Sequence, residues 1–535
     1  MKEIIDLIRR LWFILFIALC LLIISISFAR GQNVEIREAK HFTEVDQNQK
    51  AIQLLKATVR TYPGSAALWY YLGIAQLKNG ERDTALESFN KGIAIDASEP
   101  LCYAGKGHHS MLENNAQKAK LDFEKALSLS KSKNVIVLQA IAEAYLVDPK
   151  LVNDAVTLLT KAKLLDDHHP ETFILLGDAY LQQNNGGLAV TSYELAASLD
   201  GKLARPYYKT GMVYLRSRNF PGAKESFLKA VEIDPGYTLA YKELGELYYQ
   251  LKEADKAVAA YEKYLSLTDR PELGKLRYAF FLFMAKEYGK ANEIFRDLSA
   301  KENVSAITLR FYAVSLFESG DYQQSRNIFE QYFSKSPKQE IEATDYAYYG
   351  KLLLKQNEDS LAVISFQKSL MLEGKQPELL QLQAETYYKS KKFPEAIVSY
   401  EQLIRLRAKP ASQDYYTLGR AYYFDKQFEK ADTIFQKLIE LQPNMTVGYL
   451  WEARTKANLD PESEVGLAKP YYEKLIEKAS NTPEKSKNDL VEAYSYLGYY
   501  HLLKEEVGLS KSYWQKVLAL NPEDSKAKEA LKALN

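Results

Sequence analysis

A small residue returns along this chain with a step of mostly 34 residues, and no other feature limits the possible folds as much. It stands at Gly73, Gly107, Ala142, Gly177, Gly211, Gly245, Ala279, Ala313, Gly350, Ala384, Gly419, Ala453 and Gly498. A second small column begins at Ala85 and Ala119 and ends at Ala468 and Ser510. Four residues beyond each of its members comes a bulky one: Phe89, Phe123, Leu159, Tyr193, Phe227, Tyr261, Phe295, Phe329, Phe366, Tyr400, Phe435, Tyr472 and Trp514. A fixed period of this length marks a stack of supersecondary units. A chain of 535 residues is also too long for one hydrophobic core, so a modular array is expected.

Each column has a steric cause. Two helices of a hairpin approach closely only where one side chain is small, so Gly or Ala recurs at the crossing. The bulky residue, one turn beyond the second small one, shares its face and fills the space beside it. Turn signals separate the columns, as in Lys78-Asn79-Gly80 and Glu318-Ser319-Gly320-Asp321. Helix-stopping prolines follow several repeats, at Pro63, Pro235, Pro337, Pro443 and Pro522. With 47% hydrophobic and 26% charged residues, the composition is that of a folded chain, neither disordered nor fibrous.

Trp69-x-x-Leu72-Gly73, followed by Ala85 and Phe89, resembles the tetratricopeptide repeat. So do Tyr241-x-x-Leu244-Gly245-x-x-Tyr248 and Tyr415-x-x-Leu418-Gly419-x-x-Tyr422. Thirteen repeats run in register from Ala66 to about Asp524, after a degenerate one over 32–65 marked by Phe42, Ala51, Leu55 and Pro63. The resemblance implies an all-α fold, an α-solenoid superhelix of about fourteen helix-turn-helix repeats. The main array is expected over 66–482, a polar linker over 483–490, a last repeat over 491–524 and a capping helix over 525–535. In that cap Ala527, Leu531 and Leu534 recur at helical spacing, so one apolar face covers the last repeat. Insertions after Gln339 and at Asn458–Ser463 belong in loops. Ser480–Asn488 is the expected break before a terminal module.

The first 31 residues differ from the rest. Arg9 and Arg10 precede fourteen consecutive apolar residues, Leu11–Ile24, and Ala29-Arg30-Gly31 supplies a small-x-small ending. That is the pattern of a secretory signal peptide cut before Gln32. Extended to Phe28, the uncharged run is also just long enough to serve as a membrane anchor through residues 11–28. Both readings direct the remainder to an exported location, periplasmic or membrane-anchored facing the periplasm. The only cysteines are Cys20 and Cys102, so the exported portion has no internal disulfide.

Catalytic motifs are missing: there is no Walker-type loop, no GxSxG and no HExxH. His108 and His109 are adjacent, which on a helix points them about 100° apart, a poor geometry for sharing a metal. His168 and His169 fall in an inter-repeat turn. No metal, cofactor or enzymatic activity is expected. The net charge is +1, and without residues 1–31 it is −1, from 66 basic and 67 acidic residues. With no long block of like charge, a nucleic-acid partner is not expected either.

What remains is binding of protein. The resemblance implies that the first helix of each repeat lines the concave side of the stack. One face of those helices, read at spacings of three and four, carries Tyr70, His108, Tyr208, Lys242, Tyr249, Phe280, Phe283, Arg310, Phe317, Tyr388, Tyr416, Arg420, Tyr423 and Tyr499. Tyrosine is abundant, with 39 copies, and doublets such as Tyr207-Tyr208, Tyr248-Tyr249, Tyr387-Tyr388, Tyr415-Tyr416 and Tyr422-Tyr423 recur. The first member is expected in a core column and the second in the groove, so Tyr415 should pack and Tyr416 should face a partner. Tyr and Arg dominate interface hot spots. Some members of the family capture a C-terminal carboxylate with a Lys/Asn/Arg clamp, but Glu246 follows Lys242 where that resemblance would want Asn. The function expected is therefore an exported adaptor in an envelope complex for secretion, outer-membrane assembly or polysaccharide handling. The alternatives are a glycan- or small-ligand-binding protein and a regulatory subunit of a membrane enzyme. Intact-mass measurement of the native protein is expected to show residues 1–31 missing and a carbonate-extractable product. A full-length species that stays with the membrane would support the anchor instead.

Overall fold

The computed structural model describes residues 32–479, 484 and 486–534, so the apolar run 11–28 lies outside them. Among the described residues there is no strand, and no helix is long and apolar enough to cross a membrane. The helices pair into fourteen hairpins, from 32–44 with Asn48–Thr61 to Lys487–Leu503 with Val507–Leu520. Two compact units share them, eight hairpins in Met1–Lys301 and six in Glu302–Asn535.

The crossing columns explain why each pair of helices closes. A β-carbon added to Gly73 would stand 2.3 Å from Phe89 Cε1, one on Gly107 2.2 Å from Phe123, and one on Gly177 2.3 Å from Tyr193. Gly211, Gly350 and Gly419 meet Phe227, Phe366 and Phe435 at 2.5, 2.4 and 2.5 Å. The ring of the second helix thus occupies the place of the missing side chain on the first, and all six rings are fully buried. The turn between the two helices repeats as well. Asp46, Gly80, Asn114, Asn184, Arg218, Lys252, Lys286, Gly320, Asn357, Lys391 and Lys426 all take positive φ. Gly80 and Gly320 adopt it without steric cost. In several turns the next residue caps the following helix: Asn115, Asn185, Asn219 and Asp321 each accept the backbone N–H three residues on, at 3.0–3.2 Å.

The first unit closes on itself. Val45, in the turn of the first hairpin, is buried against Ala204, Ala230, Tyr237 and Ala240 of the sixth and seventh. Gln47 Nε2 donates to Thr238 Oγ1 at 3.3 Å and to the Leu267 carbonyl at 2.8 Å, and Gln49 N–H donates to Asp269 Oδ2 at 2.7 Å. His41 Nε2 lies 3.6 Å from Asp234 Oδ2, and Arg270 Nη2 reaches the Asn79 carbonyl at 3.2 Å. The degenerate repeat therefore does two jobs, stacking Ile36, Ala39 and Leu55 on Leu68 and Leu72 while its turn clasps hairpins far along the chain.

In the second unit the packing continues through the insertion where a break is expected. Tyr472, Leu475 and Ala479 share one cluster with Leu490, Ala493 and Leu497. The helix that starts at Lys487 takes in the end of the expected linker 483–490, while residues 480–483 and 485 lie outside the described residues. A division into two compact units falls at Lys301/Glu302. Polar residues inserted in a loop add little closure cost and leave the flanking apolar faces free to meet. Helix Ser525–Ala533 then lays Ala527, Leu531 and Leu534 over Trp514 and Val517.

The crossings yield a paired test. Gly419→Ala forces a methyl into the buried Phe435 ring and is expected to cost about 1–3 kcal/mol. Gly508→Ala, on a helix with nothing within 4 Å of the added carbon, is expected to be neutral or to stabilise by up to about 1 kcal/mol. Thermal melts of the full chain compare the two, and equal losses would refute the crossing argument.

Candidate functional site

Closure of the first unit forms an open-mouthed cavity of about 540 Å³ lined by Glu44, Lys78, Glu143, Asp178, Arg205, Tyr208, Lys209 and Tyr237, among others. Its charges answer one another. Arg205 Nη1 donates to both oxygens of Glu171 at 2.9 and 3.0 Å and sits 3.5 Å from Glu44. Burial opposes the Arg205 charge, but Glu171 and Glu44 more than offset it and hold the group as a cation. Lys209 bonds Asp178 at 3.0 Å, and Tyr193 Oη donates to the same carboxylate at 2.7 Å. The Lys78 ammonium, 3.4 Å from Glu143, holds that acid down at about 2 against the effect of burial. Burial raises Glu44, with Arg205 opposing it, and burial likewise pushes the Tyr208 hydroxyl up.

The second unit gathers aromatic rings instead. Helices Pro377–Lys389, Ser412–Phe424 and Thr446–Leu459 bring Tyr388, Tyr416, Phe424 and Trp451 around Arg420. The guanidinium carbon lies 5.4, 5.1, 5.9 and 5.0 Å from those four ring centroids, within cation–π range. Tyr423 meets Trp451 edge-on at 5.3 Å, and its hydroxyl accepts from Asn458 Nδ2 at 3.1 Å. Arg420 Nη1 donates to Tyr416 Oη at 3.1 Å, whereas the Nε atom is buried with no hydrogen-bond partner.

All eleven residues Tyr208, Lys242, Tyr249, Phe280, Phe283, Arg310, Phe317, Tyr388, Tyr416, Arg420 and Tyr423 are half-buried. Five of them lie in the first unit and six in the second, and their surroundings differ. Tyr208 lines the cavity of the first unit. Lys242 lies near Asp46 of the clasp. Tyr249 stacks on Phe281 at 5.3 Å under the Arg277 guanidinium, which is bonded to Glu246. Phe280 packs on core Phe295, Phe283 on Tyr288, and Phe317 on Tyr348. Arg310 is tied to Glu342 at 2.7 Å and to buried Asp345 at 2.6 Å, so it locks adjacent repeats. Tyr388, Tyr416, Arg420 and Tyr423 converge. Outside the eleven, Tyr70 is buried, His108 half-buried and Tyr499 exposed.

The tyrosine doublets depart from expectation. Tyr422 is buried and Tyr423 half-buried, as the offset requires, but in the other four doublets both members are half-buried, Tyr415 and Tyr416 against one core cluster. At that pair the reason is that the first helix of the next repeat covers the inner face: Trp451 stands 6.5 Å from Tyr416. Trp451, Phe424, Glu44 and Arg205 are the residues the sequence reading missed. Arg205 and Glu171 are 34 apart, so a search for opposite charges at the repeat period would have found that pair.

A tetratricopeptide repeat model matches residues 36–100 and 208–271, and a second model of that repeat matches 415–445. No curated protein matches the chain. Among solved structures, the C-terminal part of a TPR repeat-containing protein from Cytophaga hutchinsonii is 37% identical, over 48% of this chain and 99% of its own, with a TM-score of 0.39. A tetratricopeptide repeat protein from Parabacteroides merdae is 22% identical, over 48% and 99%, with a TM-score of 0.30.

Next to Trp451 stands an acid whose nearest partner is another acid, Asp432. Glu452 is fully buried, its carboxyl shares a hydrogen bond with the Asp432 carboxylate, and Lys456 Nζ is 3.8 Å away. Burial first, and the neighbouring Asp432 carboxylate second, raise Glu452 from 4.5 to about 9. The native state keeps the proton that the unfolded chain gives up, so stability is full below pH 4.5 and declines up to about pH 9. Each pH unit in that window costs up to about 1.4 kcal/mol. Glu452→Gln preserves the neutral shape and is expected to melt like the parent near pH 5 and clearly higher near pH 8. Melting curves across that range check it, and a variant less stable at both ends would show that Glu452 is charged in the fold.

Proposed function

This chain belongs to the tetratricopeptide repeat family, and from that premise we propose that it is an exported, non-enzymatic adaptor that holds protein segments against its first helices. The repeat scaffold supports a role in protein interaction generally. One observation carries the finer reading. The aromatic and cationic residues on the first helices are anchored in the packing yet half-accessible, the condition in which a side chain binds with little loss of rotamer entropy. Hairpins and cap also account for nearly all the described residues, leaving little chain for a separate catalytic domain.

The envelope setting rests on residues 1–31, and complexes for secretion, outer-membrane assembly or polysaccharide handling are the contexts proposed. A second reading draws on the cavity of the first unit. At about 540 Å³, with charged groups and two tyrosines on its wall, it has the size of a small-ligand site. Crosslinking in the native envelope, followed by mass spectrometry, tests the adaptor reading. Crosslinks are expected on Pro377–Lys389, Ser412–Phe424 and Thr446–Leu459. Crosslinks confined to second helices such as Phe393–Leu406 would refute it.

A further inference from the structure

The half-buried arginines on the first helices pair with acids, and Arg420 is the exception among them; Arg37 and Arg216, also without an ion pair, are exposed to water. Arg205 holds Glu171, Arg277 holds Glu246, Arg310 holds Glu342, and Arg454 holds Glu492 through Nε at 2.8 Å. Each of these joins one repeat to its neighbour and neutralises itself. Arg420 has no ion pair among the described residues. Its one hydrogen bond goes to Tyr416, and most of its N–H donors are unused.

A guanidinium in this position is under-compensated. The rings of Tyr388, Tyr416, Phe424 and Trp451 displace water from around it, which weakens its solvation without supplying a counter-charge. Cation–π contact offsets part of that loss. Rings satisfy the faces of a guanidinium, whereas its edge donates in the plane and matches a carboxylate by two parallel bonds. Phe424, 42% exposed, and half-buried Tyr388 and Tyr423 add an apolar rim, with Asn458 as a polar neighbour.

We propose that Arg420 is the specificity-determining contact of this scaffold, receiving a side-chain carboxylate from a partner segment that places an apolar residue beside it on Phe424. Charge complementarity selects that occupant: the cage supplies a cation and aromatic surface, and lacks only the acid. A basic or purely apolar segment would leave the guanidinium still more dehydrated and unpaired. The proposal rests on the adaptor reading and names the partner chemistry for it.

Arrays of short peptides in varied apolar contexts provide the probe. One set carries a central Glu and an amidated end, a matched set carries Gln, and a third carries Gln with a free C-terminal carboxylate. The full chain is expected to bind the Glu set at least about tenfold more tightly than either Gln set, the scale of one charge-assisted hydrogen bond. Arg420→Gln is expected to erase that preference. Arg420→Lys keeps the charge but not the fork and should reduce the preference, with folding checked by circular dichroism. Should Arg420→Gln fail to fold, the lysine variant carries the test, and an undiminished preference in it overturns the proposal. Equal binding of the Glu and Gln sets, or a preference that survives in folded Arg420→Gln, overturns the inference and leaves the adaptor reading standing. A preference for the free C-terminus also overturns the side-chain assignment. No binding of any set, with no crosslinked partner in the envelope, overturns both.

Discussion

The ring of Phe89 lies where a β-carbon on Gly73 would be, and on its other side it presses on the missing side chain of Gly105, 2.3 Å from each position. That wedge repeats through the array, and every other feature depends on it. A glycine inside a helix costs roughly 1 kcal/mol against alanine. Burying a phenylalanine returns about 1.5–3 kcal/mol, and close helix contact adds dispersion that a gap would forfeit. The exchange therefore favours the small residue at each crossing. Where alanine stands there instead, as at Ala142, Ala313 and Ala384, the opposing side chains Leu159, Phe329 and Tyr400 are still buried. Because the crossing fixes how the two helices of a hairpin meet, it also fixes which face of the first helix is left for charged and aromatic residues.

On that face the two units solve the same problem differently. Acids and bases are brought together in the first unit when the turn at Val45 and Gln47 closes against the sixth and seventh hairpins. Self-neutralised pairs such as Arg205 with Glu171 and Lys209 with Asp178 make that interior costly to open, since removing one partner strands the other in a partly dry cavity. In the second unit the inner face is paved by tyrosine and tryptophan, and its ion pairs, Arg310 with Glu342 and Arg454 with Glu492, serve as bolts between repeats.

Periodicity made most of the fold legible, because the crossing is a local steric rule that writes itself into residue size every 34 positions. Turn signals and the cap were readable for the same reason: they act within a few residues. The closure of the first unit was not, because Val45 meeting Tyr237 depends on how small rotations between repeats accumulate, and no single repeat encodes that sum. The site was half-legible. Tyr388, Tyr416, Arg420 and Tyr423 share a helical face and were found by spacing. Their convergence on Trp451 was missed, since a tryptophan that spans from core Phe435 to Arg420 looks in sequence like an isolated one. The one-residue offset of the doublets failed everywhere but at Tyr422-Tyr423; at Tyr415-Tyr416 neighbouring first helices lie side by side, so a residue pointing away from its own hairpin still meets the next one.

Two groups on consecutive first helices of the second unit stand out against this economy of matched charges. Glu452 is buried as a neutral acid, and Arg420 is held as a cation among rings with no acid to meet it. Fold stability alone would favour an apolar residue at Arg420, because an unpaired charge in a dehydrated site costs more than it contributes. The two residues flank Trp451 in different ways: Glu452 follows it in sequence, and Arg420 lies under its ring. Glu452 settles its charge locally, sharing a proton with Asp432, whereas Arg420 meets no acid among the described residues, so its cage stays receptive to an acid brought from outside.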